Sequence, residues 1–93
     1  NTYVKEYTYL GYAEEIDEKG FAHITQRNKF CVGETIEIMK PDGRNLSVTV
    51  KAIYNENGES VESAPHPQQK LAVDLGTGIE KYDLLRRAEA SEN

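Results

Sequence analysis

Residues 26 to 43 read QRNKFCVGETIEIMKPDG and place two turn signals around a short alternating run. Gly33 can adopt the positive φ angle of a tight turn, and Pro41-Asp42-Gly43 is a typical reverse-turn sequence. Between the turns, Ile36 and Ile38 alternate with polar residues, which is typical of a strand that buries one face. The same punctuation recurs along the chain, so the sequence predicts a small all-β domain.

Alternation and turn residues extend this pattern to most of the chain. The predicted strands cover residues 3–16, 21–27, 35–39, 46–54, 60–64, 70–75 and 82–87. Residues 82–87 are also compatible with a short helix, but their uneven apolar stripe favours a strand. Six or seven short strands favour a closed or nearly closed β-barrel, because closure removes unpaired edges. A two-layer sandwich is the alternative.

The alternation also predicts which side chains share a face of each strand. Ile36 and Ile38 are predicted to point inward, and so are Leu71, Val73 and Leu75. In residues 46–54 the predicted apolar face comprises Leu46, Val48, Val50, Ala52 and Tyr54. In the first strand, Val4, Thr8, Leu10 and Tyr12 are predicted on one face, opposite Tyr3, Lys5, Tyr7 and Tyr9.

Size and composition describe one folded domain, predicted to span residues 1–88 and to end in a polar tail, residues 89–93. The chain has 93 residues, 38% of them hydrophobic and 29% charged. It begins at Asn1 rather than at methionine, so we expect a piece of a longer protein. Cys31 is the single cysteine, which excludes an internal disulfide and favours a reducing compartment such as the cytoplasm.

The charge and hydropathy patterns argue against several partners. A net charge of -5 and a pI near 5.0 argue against broad, nonspecific binding of nucleic acid or anionic lipid. No apolar run approaches the roughly 20 residues that a membrane-spanning helix needs. We therefore expect no membrane and no DNA as partners, while a local basic strip that contacts RNA remains compatible with the sequence.

The chain offers little that could carry catalysis. Cys31, His23 and His66 are the only set that could form a thiol nucleophile with a base, and nothing in the sequence brings them together. We expect Cys31 to pack as a small hydrophobic residue. Zinc-ligand spacing is absent, and residues 14–18 are acidic but lack the pattern of a calcium loop. No catalytic residue, metal or cofactor is predicted.

Basic and aromatic residues do suggest a binding surface. Arginines and lysines at one end of a barrel, next to aromatic rings, would contact phosphates and stack on bases. Scattered charges on strand ends are the alternative. Pro65 and Pro67 stiffen the loop that holds His66, which suits either recognition or a rigid crossover. The candidate surface comprises Arg27, Lys29, Phe30, His66, Lys70, Tyr82, Arg86 and Arg87.

Several short motifs together resemble the C-terminal domain of the collagenase-like U-type peptidases, family thirty-two of that class. The motifs are Arg27-Asn28-Lys29-Phe30, Gly33-Glu34, Ile36-Glu37-Ile38, Pro41-Asp42-Gly43, Ala64-Pro65-His66-Pro67 and Asp83-Leu84-Leu85-Arg86-Arg87. The resemblance covers residues 7 to 87. This chain departs from the pattern at Tyr82, where a glycine is expected, and in the connector Gly76-Thr77-Gly78.

The resemblance implies a fold, a parent protein and an activity. The family's C-terminal domain is similar to the β-barrel of domain two in elongation factor Tu. The parent would be a large bacterial cytoplasmic protein whose peptidase activity lies in an N-terminal part that is absent here. Several relatives are linked to hydroxylation of transfer or ribosomal RNA, and some bind an iron-sulfur cluster through cysteines of that absent part. The single cysteine here implies no cluster.

These observations lead to three hypotheses about function. The first is a non-catalytic accessory barrel of a collagenase-like U-type peptidase, a hydrolase, which positions a protein or peptide substrate beside the N-terminal catalytic domain of the parent chain. The second is an RNA-contacting module of an enzyme that hydroxylates tRNA or rRNA. The third is a purely structural cap. In each case the principal partner is the N-terminal catalytic domain, and the second hypothesis adds structured RNA.

Overall fold

The structure is a computed structural model that describes the backbone of residues 3 to 76 and 78 to 92 and, within these ranges, the side chains of residues 6 to 89. These residues form strands, turns and no helix, which confirms the all-β prediction. The strands are β1 (Tyr3–Tyr12), β2 (Glu15–Ile16), β3 (Ala22–Thr25), β4 (Thr35–Met39), β5 (Asn45–Thr49), β6 (Ala52–Tyr54), β7 (Ser60–Val61), β8 (Lys70–Asp74) and β9 (Leu84–Glu92).

The strands form two antiparallel sheets. Sheet A has the order β1-β9-β4-β5, and sheet B has the order β2-β3-β8-β6-β7. The chain passes from sheet A to sheet B twice, after β1 and after β5. The pairings of the described strands give two sheets rather than one closed ring, so the closed barrel of six or seven strands stays a prediction.

The core is built from the inward faces of the strands together with residues of the connecting loops. Phe30 is the largest fully buried side chain. The prediction that Ile36 and Ile38 point inward is confirmed, as is that for Leu71, Val73 and Leu75. The remaining buried hydrophobic residues are Leu10, Ala13, Ala22, Ile24, Val50, Ile53, Ala64 and Leu85. Burial of apolar area contributes about 25 cal/mol per Å², so this shared cluster is the main stabilising element.

The predicted strand 46–54 is two strands that lie in different sheets. The Val50 N–H donates to the Glu34 carbonyl over 2.9 Å, whereas the next N–H, that of Lys51, donates to Asp74 of β8 over 2.9 Å. This corner shifts the alternation by one position, because Val50 is fully buried before it and Ile53 after it, while Ala52 and Tyr54 are only half-buried. The prediction of one continuous apolar face over these residues is therefore wrong.

A β-bulge in β1 changes the predicted faces of the first strand. Tyr9 pairs with Arg86, and Gly11 pairs with Leu85, so Leu10 is an extra residue between them. Such a bulge shifts the alternation by one position. Leu10 is fully buried and Tyr12 is 40% exposed, so the prediction that they share a face is wrong.

Three predicted segments differ from their predicted extents, and two predicted segments include a single residue that lies outside the described residues. The predicted strand 3–16 is two strands, β1 and β2, which lie in different sheets. The predicted strand 60–64 is limited to β7 and one isolated bridge from Ser63 to Cys31. Residues 89 to 92, set apart as a tail in the sequence, continue β9 and pair with β1. Thr77 of the glycine-flanked connector and Asn93 are outside the described residues. Residues 3 to 76 and 78 to 92 include no helix that is long and apolar enough to span a membrane.

Candidate recognition surface on the outer face of sheet A

Cross-strand pairing places three tyrosines on the outer face of sheet A. Residues directly opposite each other on neighbouring strands present their side chains on the same face. One row pairs Tyr12 with Leu84 and Met39, and the next pairs Tyr9 with Arg86 and Glu37. Tyr7 lies two positions before Tyr9 on β1 and therefore on the same face. We call Tyr7, Tyr9, Tyr12, Met39, Leu84 and Arg86 the tyrosine face; its tyrosines are 43%, 37% and 40% exposed, in that order.

Arg86 lies at the centre of the tyrosine face and is held by several contacts. Its guanidinium carbon is 3.7 Å from the centroid of the Tyr7 ring. Its Nη2 is 3.4 Å from Glu37 Oε1 and 3.4 Å from Asn45 Oδ1, and its Nη1 is 3.5 Å from Met39 Sδ. A guanidinium in this position over a ring makes a cation–π interaction. The nearby Glu37 carboxylate offsets the positive charge, so the face is aromatic rather than strongly basic.

The tyrosine face has a shallow groove that suits planar ligands. The groove is lined by Tyr7, Tyr9, Met39, Leu84 and Arg86. Tyrosine rings and a guanidinium plane stack on flat groups such as nucleobases or aromatic side chains. Because the groove lies on paired strands rather than on a loop, the backbone that carries the rings is held by the sheet. Binding of a planar group therefore requires no ordering of the backbone at this surface.

The two consecutive arginines of the predicted surface point to opposite faces of β9. Arg87 pairs with Thr8, one position along from the Tyr9 and Arg86 pair, and successive residues of a strand alternate. Its Nη1 is 2.8 Å from Glu34 Oε1 and donates to the Lys29 carbonyl over 3.2 Å. The hydrogen bond to Glu34 raises the pKa of Arg87 above its ordinary value. Arg87 and Lys29 are therefore neighbours, apart from Arg86.

The other predicted surface residues are dispersed. Phe30 is fully buried in the core, so its place on a stacking surface is a wrong prediction. Lys70 belongs to sheet B, where its Nζ is 2.6 Å from Thr25 Oγ1 and 3.2 Å from Glu14 Oε1. The hydrogen bond from Thr25, followed by that from Lys70, lowers the pKa of Glu14. Arg27 is exposed at the start of the loop that follows β3.

His66 is exposed in the loop between β7 and β8. The loop is anchored from the core by buried Gln26, whose Nε2 donates to the carbonyls of His66 over 3.0 Å and of Ala64 over 3.3 Å. These bonds hold the backbone and leave the imidazole outside. The structure therefore supports the predicted rigidity of this loop without placing His66 on the tyrosine face.

Tyr82 lies at the end of sheet A next to the tyrosine face. Its N–H donates to the carbonyl of Ala13 over 2.7 Å, and Ala13 follows Tyr12. The side chain is 62% exposed, and the backbone has a φ of 76°. The ammonium group of Lys81 is 5.2 Å from the ring centroid. Of the predicted surface residues, Tyr82 and Arg86 thus belong to one region.

A buried ion pair supports this end of the sheet. Lys40 Nζ is 2.5 Å from Asp83 Oδ2 and 3.0 Å from Glu80 Oε1, and it also donates to the carbonyl of Gly78. Lys40 is 5% exposed and Asp83 is fully buried. Burial acts to lower the pKa of Lys40, but the hydrogen bonds to Asp83 and Glu80 outweigh it and raise the pKa above its ordinary value. We call these four residues the lysine clamp.

Cys31, the candidate nucleophile of the sequence, lies outside the tyrosine face. Cys31 is free and exposed, which corrects the prediction that it packs as a small hydrophobic residue; its N–H donates to Glu34 Oε2 over 2.6 Å. In the described part of the chain, no group of three or more His, Cys, Asp or Glu side chains could hold a metal ion.

Most of the tyrosine face is not predicted by the local sequence pattern. The alternation correctly puts Tyr7 and Tyr9 on one face of the first strand but does not indicate that this face binds a ligand. Tyr12 was assigned to the opposite face because Gly11 does not by itself reveal a bulge. Met39 and Leu84 join the face only through the pairing of β4 with β9, which no local pattern encodes. The signal that could have indicated the site was the repeated tyrosine at alternate positions.

The fold and this surface define an all-β domain with two antiparallel sheets and one exposed aromatic face. Residues 5–86 match the model of the Peptidase family U32 C-terminal domain, and the chain belongs to that family. Two solved structures of the C-terminal domain of a U32-family protein from Geobacillus thermoleovorans are similar. The first has a TM-score of 0.74 and 26% sequence identity, and the match covers 86% of this chain and 99% of that chain. The second has a TM-score of 0.73 and 27% identity, and the match covers 87% of this chain and 91% of that chain.

Three curated relatives carry names that concern tRNA. The tRNA hydroxylation protein P1 of Bacillus subtilis is 27% identical over 89% of this chain. The tRNA hydroxylation protein P is 33% identical over 83% of this chain in Haemophilus influenzae and 32% identical over 82% in Escherichia coli. The chain spans 17% to 20% of the length of these relatives.

Proposed function

We propose that this chain is a non-catalytic accessory domain that contacts tRNA for the remainder of a larger U32-family protein. The observation that carries the proposal is the tyrosine face, where three exposed rings and a stacked arginine share one side of a sheet. The names of the curated relatives supply the identity of the RNA. The reaction itself belongs to the absent N-terminal catalytic domain, in the bacterial cytoplasm.

Stacking, rather than charge, is the expected source of affinity. The chain has a net charge of -5, and Glu37 lies 3.4 Å from Arg86, so phosphate attraction at this surface is weak. Stacking of a base on an aromatic side chain is worth about 1 to 3 kcal/mol. Two or three such contacts give modest affinity, which suits a domain that orients a substrate already held elsewhere. Exposed Arg27 and Lys29 add peripheral charge.

A peptide substrate is the second candidate. Aromatic side chains of an extended peptide would fit the same groove, and the acidic chain tolerates a basic peptide better than it tolerates RNA. This candidate corresponds to the accessory domain of a collagenase-like peptidase. A purely structural cap would instead bury the tyrosine face against the remainder of the parent protein, and it predicts that the chain binds neither tRNA nor peptide.

The proposal is tested by titrating bulk bacterial tRNA and following fluorescence anisotropy at about 50 mM and about 150 mM salt. We expect Tyr9→Ala to weaken binding about tenfold, which corresponds to about 1.4 kcal/mol. Leu46→Ala is the matched control, because Leu46 is 39% exposed against 37% for Tyr9 and lies in the same sheet on the other face. It should bind as the unmodified chain does.

Two results would overturn the proposal. One is the absence of tRNA binding at the lower salt concentration by the unmodified chain. The other is an equal loss in Tyr9→Ala and Leu46→Ala with both variants folded by circular dichroism. Binding of an aromatic basic peptide in place of tRNA would select the peptidase candidate.

A further inference from the structure

We infer that Tyr82 stacks on an unpaired nucleotide of the RNA, with Lys81 beside the neighbouring phosphate. The inference rests on the proposed function and extends it to a residue outside the tyrosine face. Three features of the turn before β9 support it: a strained backbone, a ring that points to solvent, and a cation placed next to that ring.

The backbone of Tyr82 has a conformation that is unfavourable for a bulky residue. Its φ of 76° lies in the left-handed region, where the side chain of an L-residue approaches its own backbone. Glycine has no such cost, so a turn of this shape favours glycine. The tyrosine at this position therefore makes the turn less stable than a glycine would. Residues kept in such conformations often serve a function.

The surrounding contacts prevent the turn from relaxing. The N–H of Glu80 donates to Asp83 Oδ2 over 2.7 Å, and the N–H of Asp83 donates to the Glu80 carbonyl over 3.2 Å. Tyr82 itself is fixed by its 2.7 Å bond to Ala13. Asp83 is in turn held by Lys40. With the backbone fixed on both sides, the ring is directed outward and stays 62% exposed.

The position and surroundings of the ring indicate its ligand. Tyr82 is two residues before Leu84, which pairs with Tyr12, and its N–H bonds to Ala13, so its backbone lies at the end of the sheet that carries the tyrosine face. Lys81 Nζ lies over one face of the ring, 5.2 Å from the centroid, so a base would stack on the opposite face and the ammonium could meet the phosphate of a neighbouring nucleotide. Bases of a duplex are covered on both sides by their neighbours, so an exposed ring selects unpaired nucleotides.

The test compares four proteins in binding to a single-stranded oligouridylate of about 12 nucleotides and to an RNA duplex of equal length. We expect Tyr82→Gly to weaken binding to the single strand about fivefold to tenfold, and Tyr82→Phe to retain it. The melting temperature of Tyr82→Gly should be unchanged or up to about 5 °C higher, because glycine relieves the strain. Duplex binding should be weak in every protein.

Gln68→Gly is the matched control. Gln68 is the other described non-glycine residue with a positive φ, 61°, and it lies in the loop before β8. Its replacement relieves strain in the same way but removes no aromatic ring. We expect RNA binding equal to that of the unmodified chain, together with a melting temperature that is unchanged or slightly raised.

The outcomes separate this inference from the proposed function. If the unmodified chain binds tRNA and Tyr9→Ala loses affinity while Tyr82→Gly does not, only the role of Tyr82 is overturned. A melting temperature of Tyr82→Gly that falls by more than about 5 °C would identify a structural ring and overturn the inference as well. If the unmodified chain binds neither tRNA nor the oligouridylate, the proposed function fails, and this inference fails with it.

Discussion

The outer faces of the two sheets contrast in how their aromatic rings are used. On sheet A, the tyrosine face leaves three rings accessible around Arg86. On sheet B, Phe21 stacks on Tyr54 with ring centroids 5.3 Å apart and ring planes at 13°, so each ring covers part of the other. The contrast shows that the number of aromatic residues does not define a recognition surface. What matters is how much of each ring stays exposed: the three tyrosines of the tyrosine face are exposed, whereas Phe21 and Tyr54 are half-buried.

The charges on the two outer faces also favour sheet A over sheet B as an RNA-binding surface. The groove on sheet B is bordered by the carboxylates of Asp17, Glu18 and Glu56, with Lys19 as a neighbour. The tyrosine face has Arg86 at its centre and Glu37 next to it. An RNA approaching the chain therefore meets less repulsion at sheet A than at sheet B. This difference agrees with the proposed assignment of RNA contact to sheet A, which rests on the tyrosine face.

The largest expected effect comes from breaking the lysine clamp that supports the end of sheet A. Asp83→Ala leaves the buried ammonium of Lys40 without its main partner, and removal of one member of a buried pair costs about 3 to 5 kcal/mol. We expect a loss of this size in the free energy of unfolding, measured with urea. Asp42→Ala is the control, since the ion pair of Asp42 with Arg44 is exposed, and it should leave the midpoint nearly unchanged. Similar losses in both variants would contradict the contrast between buried and exposed pairs.

The next effect tests the bulge that brings Tyr9 and Tyr12 to the same face. A Cβ atom at Gly11 would lie 2.9 Å from the carbonyl oxygen of Thr25, and the φ of 145° is unfavourable for alanine. We expect Gly11→Ala to lower the free energy of unfolding by about 1 to 3 kcal/mol. Gly58→Ala is the control: its φ is 80°, but the added Cβ meets no atom within 4 Å. An equal loss in both variants would show that the close approach to Thr25 is unimportant.

The bulge and the corner after β5 mark the limit of what the sequence predicts about the fold. Strands β4 and β8 were predicted correctly because each keeps one alternation from end to end, with Ile36 and Leu71 facing the core. Residues 46–54 also alternate, yet the chain changes sheets at Val50 and Lys51. Alternation describes a local period, whereas a change of sheet depends on which distant strand supplies the hydrogen bonds. The same reason explains the missed bulge at Leu10.

The site was predicted only in part for related reasons. The opposite directions of Arg86 and Arg87 follow from strand geometry and could have been derived once β9 was assigned. The burial of Phe30 could not, because a loop residue has no alternation that shows its direction. Lys40 and Asp83 are far apart in sequence, and their contact depends on the complete fold. Arg86 and Tyr82 were identified by residue type, while their joint location emerged only from the pairing of strands.

A third prediction compares the two faces directly through one lost charge on each. Arg86→Gln removes the guanidinium stacked over Tyr7, and Lys70→Gln removes one positive charge from sheet B. We expect Arg86→Gln to weaken tRNA binding about fivefold, or about 1 kcal/mol, through the loss of a cation–π and stacking partner. Lys70→Gln should have little effect in the same anisotropy titration. If both variants lose affinity equally, binding follows net charge and the distinction between the faces is wrong.

The smallest expected effect concerns the hairpin turn of sheet B. The hydrogen bond from His23, followed by those from the N–H groups of Phe21 and Lys19, lowers the pKa of Asp17 below its ordinary value of 3.8. Since the pKa is lower in the folded state, this carboxylate stabilises the fold above the unfolded pKa, and the contribution is lost as the pH falls through the folded pKa. Asp17→Asn removes that dependence.

The measurement is the urea midpoint of both proteins from about pH 2 to about pH 6. The unmodified chain should be the more stable protein at the upper end, and the difference should shrink below about pH 4 as Asp17 becomes protonated. Glu14 titrates in both proteins, so its lowered pKa cancels in the comparison. Parallel curves across the whole range would mean that Asp17 has the same pKa in the folded and unfolded chain. Binding of tRNA should be equal in the two proteins at neutral pH, because Asp17 lies in a turn of sheet B and the proposed RNA surface is on sheet A.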